Sequence, residues 1–194
     1  MHAFTRLTSF VLFILSLNFL VCALPTPANS GSKDLAIRNV QADALVAACV
    51  QLKADVTVHA AVLAKVETLV DAKAAVAVIV KDLNLAAKVF MDLGAGIELD
   101  DKVKVEVVAC IAAVVSVIVQ ACLSLSLKLG LAVCLVIFAQ LDVALRLLLV
   151  KLDICVNGIL ALIVKALVQV DVEALIKIKL HLCASVLGLL KISL

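Results

Sequence analysis

The sequence predicts an all-α fold, a compact bundle of four to six helices cross-linked by disulfides. Three features carry this reading. From Ser32 to Leu93 there is neither Gly nor Pro, and a many-stranded sheet would need turns there. Polar residues recur in four-residue steps across otherwise apolar stretches, the mark of one helical stripe. Val107–Leu127 (VVACIAAVVSVIVQACLSLSL) has no formal charge and is long enough to cross a bilayer as a helix.

Composition sharpens the question of where so much apolar surface goes. Hydrophobic residues make up 65% of the 194 and charged residues only 16%, with a mean hydropathy of +1.26. The usual apolar share is about half. A net charge of +2, with no Trp or Tyr, provides neither the basic field nor the stacking platforms that nucleic-acid binding uses. No nucleic-acid partner is expected.

Taken in order, Met1–Ala23 reads as a secretory signal. Arg6 supplies the basic start, Phe10–Leu20 the apolar run, and Val21-Cys22-Ala23 a small-x-small cleavage site. Residues 24–32 (LPTPANSGS) form a flexible mature N-terminus. Residues 33–194 form a single helical domain, more polar over 33–106 and strongly hydrophobic over 107–194. After the signal, residues 24–106 hold 20 charges and residues 107–194 hold 11, so polarity is uneven along the chain.

In the polar half, two helices are expected near Val40–His59 and Val62–Met91. The loop Leu93–Asp101 (LGAGIELDD) follows, and Asp100 or Asp101 can cap the next helix. That helix runs from about Lys102 to Lys128, with Lys102, Glu106, Ser116, Gln120, Ser124 and Lys128 as its polar seam. Gly130 ends it. Leu131–Asp153 then carries charges only at Asp142, Arg146, Lys151 and Asp153, and Asp142/Arg146 has the spacing and order of a helical ion pair. Asn157-Gly158 marks a turn. Beyond it, Lys165, Gln169, Glu173, Lys177, His181 and Ser185 keep one four-step register, with a possible break near Asp171.

With Cys22 lost to the signal, six cysteines remain: Cys49, Cys110, Cys122, Cys134, Cys155 and Cys183. An even count in a secreted chain points to three disulfides, with the pairing open. They should join different helices. Cys110 and Cys122 lie twelve residues apart, roughly 18 Å on one helix, too far for a bridge. There is no CxxC pair, and only His59 and His181 could assist, so no metal is expected. Neither histidine sits in a GxSxG or HExxH setting. No enzyme, catalytic residue or cofactor is expected.

Signal, Pro-containing mature start, mixed-charge first half and cysteine-bearing apolar second half together resemble the small secreted, non-hydrophobin hyphal-matrix proteins of mushroom-forming fungi. That resemblance covers the mature chain at the level of layout. It implies a role in aerial growth and attachment to hydrophobic surfaces. Hydrophobins differ, having eight cysteines with adjacent pairs. Saposin-like lipid binders differ too, since their cysteines include close pairs and the smallest gap here is twelve.

The expected function is therefore that of a secreted structural and surface-active protein of the cell wall or extracellular matrix. It would act at hydrophobic–hydrophilic interfaces, with self-association, wall or interface contacts as its partners. The alternatives are a multi-span membrane or pore-forming protein, and a lipid-binding helical bundle with an apolar cavity.

Overall fold

The computed structural model describes residues 30–167 and 169–188, with side chains for 40–167 and 173–188. Residues 1–23, read above as a signal, lie outside the described residues with Cys22, as does nearly all of 24–32. The chain divides at Ala36, and Ile37–Leu194 forms a compact unit of its own.

Seven helices make up the described residues, with no strand among them. They are α1 (Ser30–Leu63), α2 (Leu69–Leu93), α3 (Asp101–Leu129), α4 (Leu131–Cys155), α5 (Ile159–Ala166), α6 (Gln169–Lys177) and α7 (His181–Val186). The all-helical expectation holds. The expected four to six becomes seven because the C-terminal segment breaks twice, at Leu167 and over Ile178–Leu180.

Each break has a local cause. At α2, Thr68 is the N-cap: its hydroxyl accepts the Asp71 N–H at 3.2 Å and donates to the Asp71 carboxylate at 2.6 Å. The N-cap hydroxyl thus satisfies one orphan donor of the first turn, and the Asp71 carboxylate holds that hydroxyl in place. Gly130 (φ +88°) alone separates α3 from α4, a left-handed turn that a β-carbon would strain. The end of α6 is a Schellman motif. Leu180 N–H reaches the Leu175 carbonyl at 3.0 Å and Lys179 N–H reaches that of Ile176 at 3.1 Å. Lys179 holds the left-handed position at φ +60°.

Hydrogen bonds fix the helix directions. Gln41, early in α1, donates to the Leu93 carbonyl at the end of α2 (3.1 Å), so these two run antiparallel. Cys110 Sγ donates to the Cys49 carbonyl (3.0 Å), and Lys128 Nζ to that of Ala64 (2.7 Å). From the first bond to the second both segments advance in the same direction, so α1 and α3 run parallel. The Gly96 and Ile97 N–H groups, just past α2, bond the Ile154 and Cys155 carbonyls at the end of α4 (3.2 and 2.7 Å), so α2 and α4 are parallel neighbours.

The short helices then divide their contacts. α5 and α6 pack on α3, and α7 packs on α4. One straight helix could not reach both, which explains why the chain bends at Leu167 and Ile178–Leu180. The bends keep Leu167, Ile178 and Leu180 buried. The expected polar row survives the bending: Lys165, Glu173, Lys177, His181 and Ser185 are all exposed, while the Gln169 side chain lies outside the described residues.

Val107–Leu127 sits where it was expected, within α3 and surrounded by α1, α4, α5 and α6. Val107, Ile111, Val115, Ile118, Val119, Cys122 and Leu125 are fully buried. The seam residues Lys102, Glu106, Gln120 and Lys128 face outward, with Ser116 and Ser124 half-buried. α3 is thus long and apolar because it is core on most sides.

Candidate interaction surface

The six cysteines expected to pair do not. Cys49 on α1, Cys110 and Cys122 on α3, Cys134 and Cys155 on α4, and Cys183 on α7 are all free and buried. The cross-linked bundle is corrected accordingly. Each thiol fills a core position as a small hydrophobe, and some also donate. Cys155 Sγ bonds the Phe90 carbonyl (2.7 Å) and the Gly94 carbonyl (3.1 Å), tying the last turn of α4 to the end of α2. Cys110 does the same toward α1.

Burial pushes all six thiols upward from their ordinary value, foremost by desolvation. Cys183 rises to about 12, with the Asp142 carboxylate adding to the effect of burial. Thiols so held are poor nucleophiles and poor metal ligands. Among the described residues no group of three His, Cys, Asp or Glu side chains is placed to hold a metal ion.

Two polar contacts stand out. His59 Nδ1 lies 2.7 Å from the Asp82 carboxylate, joining α1 to α2 at a partly exposed site. Asp142 is buried at 5% exposure, and it does not form the Asp142/Arg146 pair that the spacing suggested. Its Oδ1 accepts the Cys183 N–H at 2.7 Å and its Oδ2 accepts the Leu182 N–H at 2.8 Å. The carboxylate caps α7 from α4, while Arg146 points to solvent. No nucleophile–base arrangement accompanies either contact.

Two apolar recesses flank α1. One is an open groove of about 390 Å³ against α3, floored by Ala60, Ala61, Ala64 and Ala121. The other, about 110 Å³ against α2, is walled by Leu52, Leu85, Ala86 and Val89. Both open to solvent and neither has the enclosed form that would hold a lipid chain.

The surface itself is more distinctive. α1 and α2 intersperse charged and apolar side chains on their outer faces: Asp43, Lys53, Asp71, Lys73, Lys81, Lys88 and Asp92 are exposed, and so are Val58, Val62, Val70 and Leu85. On α4 the exposed charges nearly disappear. Val133, Val136, Val143, Leu147, Val150 and Ile154 are 36 to 69% exposed. Around them Ala132 and Ala139 are also exposed, and Gln140 and Arg146 are the only exposed polar side chains on the helix. Half of α4 is core and the other half is an apolar exterior. No protein family, no curated protein and no solved structure matches this chain. Its own surface is therefore the guide to what it does.

Sequence reasoning located the helix but missed this face. The signal was present, as a row at alternating steps of three and four from Val133 to Ile154, apolar except at Gln140. It was hidden because the core-facing residues Cys134, Ile137, Phe138, Leu141, Leu145, Leu148 and Leu152 are equally apolar.

Proposed function

We propose that this chain is a secreted structural, surface-active protein of the cell wall or extracellular matrix, which lays the outer face of α4 against hydrophobic–hydrophilic boundaries. The observation that carries this reading is the contiguous exposed row Val133, Val136, Val143, Leu147, Val150 and Ile154. Contiguous apolar surface of this kind marks interaction sites. The charges exposed on α1 and α2, from Asp43 to Asp92, suit the aqueous side. A core that fills itself without disulfides lets the bundle stay folded while one face is engaged.

The test is adsorption of the native, detergent-free protein. Surface tension should fall, and protein should persist on a Teflon-like surface after washing. Val143→Lys with Leu147→Lys should abolish both effects with helicity unchanged, while Ala77→Lys on the exposed side of α2 should not. Wild-type protein that washes off like an ordinary soluble control would refute the reading.

One observation favours a second reading, insertion into a bilayer. Val40–Leu63, Asp101–Leu129 and Leu131–Cys155 are each long and apolar enough to cross a membrane. Against it, α2 packs along α4 and carries exposed charges from Asp71 to Asp92. Such side chains are costly in hydrocarbon. Carbonate extraction separates the two readings: insertion keeps the protein in the membrane pellet, and the interfacial role releases it.

A further inference from the structure

We infer that the outer face of α4 is the contact surface between two copies of this chain, docked antiparallel about a two-fold axis between Leu147 and Val150. This rests on the reading of that face as the working apolar surface, and adds what covers it in water.

The exposed row Val133, Val136, Gln140, Val143, Leu147, Val150, Ile154 steps alternately by three and four. That 3.5-residue repeat is the seam of a two-stranded coiled coil. Val, Leu and Ile fill it, and Gln140 alone interrupts it. The flanking charges are Arg146 and Asp153 on one side and Lys151 on the other. Neither Arg146 nor Asp153 has an ion pair or hydrogen bond among the described residues. Both are available to a partner.

Charge decides among the ways two such seams can meet. A parallel pair sets Arg146 beside Lys151 of the partner subunit, like against like. An antiparallel pair with Val143 facing the partner's Leu147 sets Arg146 beside the partner's Arg146. It also packs Gln140 against the partner's Val150, burying an amide without a partner group. Moving one heptad toward the C-terminus removes both faults. Leu147 then faces the partner's Val150, and Val143 faces the partner's Ile154. Arg146 meets the partner's Asp153, and two-fold symmetry repeats each contact. Gln140 falls beyond the end of the partner's helix, since α4 stops at Cys155. Charge pairing and the placement of Gln140 together favour this register over those two.

The seam has four apolar layers over two heptads, so the dimer is a reversible one. In solution it hides the Val143–Ile154 part of the face that an interface would otherwise take up.

Sedimentation velocity on the purified full-length chain, from about 1 to about 100 µM, tests this. Wild type should shift from monomer to dimer across that range. Leu147→Lys should stay monomeric. Arg146→Asp and Asp153→Arg should each weaken the dimer about tenfold or more, and the double variant Arg146→Asp/Asp153→Arg should recover it. Circular dichroism checks that every variant is folded. A wild type that stays monomeric, a dimeric Leu147→Lys, or a double variant no better than the singles would overturn the proposal. The charge variants leave the apolar row intact, so their adsorption should remain. Dimers without adsorption would sink the surface-active reading alone, and adsorption without dimers would sink this one alone.

Discussion

The Asp142 carboxylate accepts the backbone N–H of Cys183 at 2.7 Å. Its other oxygen takes the Leu182 N–H, so one buried side chain on α4 satisfies two of the orphan donors that open α7. This contact holds the last described helix to the bundle across forty residues of sequence. Asp142→Ala leaves both N–H groups buried without acceptors and should cost about 2–4 kcal/mol, read as a lowered urea midpoint. Asp142→Asn keeps one acceptor and should cost about half as much. Equal midpoints for wild type and Asp142→Ala would contradict the capping role.

The six thiols should resist modification. In native protein, a disulfide-exchange reagent should label few or none, and all six described cysteines should react in denaturant. Reducing and non-reducing gels should show the same mobility. Rapid labelling of native Cys49, Cys122 or Cys183 would contradict their burial.

Those thiols also set an alkaline limit. A raised folded-state value means that the folded protein holds its proton more tightly than the unfolded chain. The resulting stability is fully present below the ordinary value of 9.0 and is lost as pH climbs from there toward about 12 for Cys183. Within that window Cys183 removes about 1.4 kcal/mol per pH unit. Urea midpoints should therefore fall between pH 9 and pH 11, and Cys183→Ala should flatten the fall. A pH-independent midpoint over that range would count against it.

Lys179 sits in the left-handed region with no glycine to ease it. Lys179→Gly should stabilise the protein by about 1 kcal/mol, seen as a higher melting temperature. A lower melting temperature would show that its side chain contributes more than the backbone strain removes.

The fully buried Phe138, on the core side of α4, should be costly to truncate. Phe138→Ala is expected to lose about 3–5 kcal/mol, whereas Val136→Ala, two residues away on the exposed face, should lose under about 1 kcal/mol. Comparable losses at both sites would mean that the two faces of α4 are misassigned.

Several elements were legible in the sequence by itself, because their causes are local. Gly130 and Asn157-Gly158 stop helices through backbone freedom. The four-step row from Lys102 to Lys128 marked the outward side of α3. The missing breakers announced helix through Leu93, and Thr68-Leu69-Val70-Asp71 held a capping signal that would have placed the start of α2. Tertiary structure decided the rest. Cysteine count says nothing about distance, and only the packed bundle puts all six thiols into separate core positions. The Asp142/Arg146 spacing suggested a helical pair, yet α7 arrives from far along the chain and takes the carboxylate for itself. α4 carries apolar residues on its core and outer sides alike, so the repeat on the outer side did not stand out from the core one. Packing against α2, α3 and α7 drew that line and left Val133–Ile154 facing out.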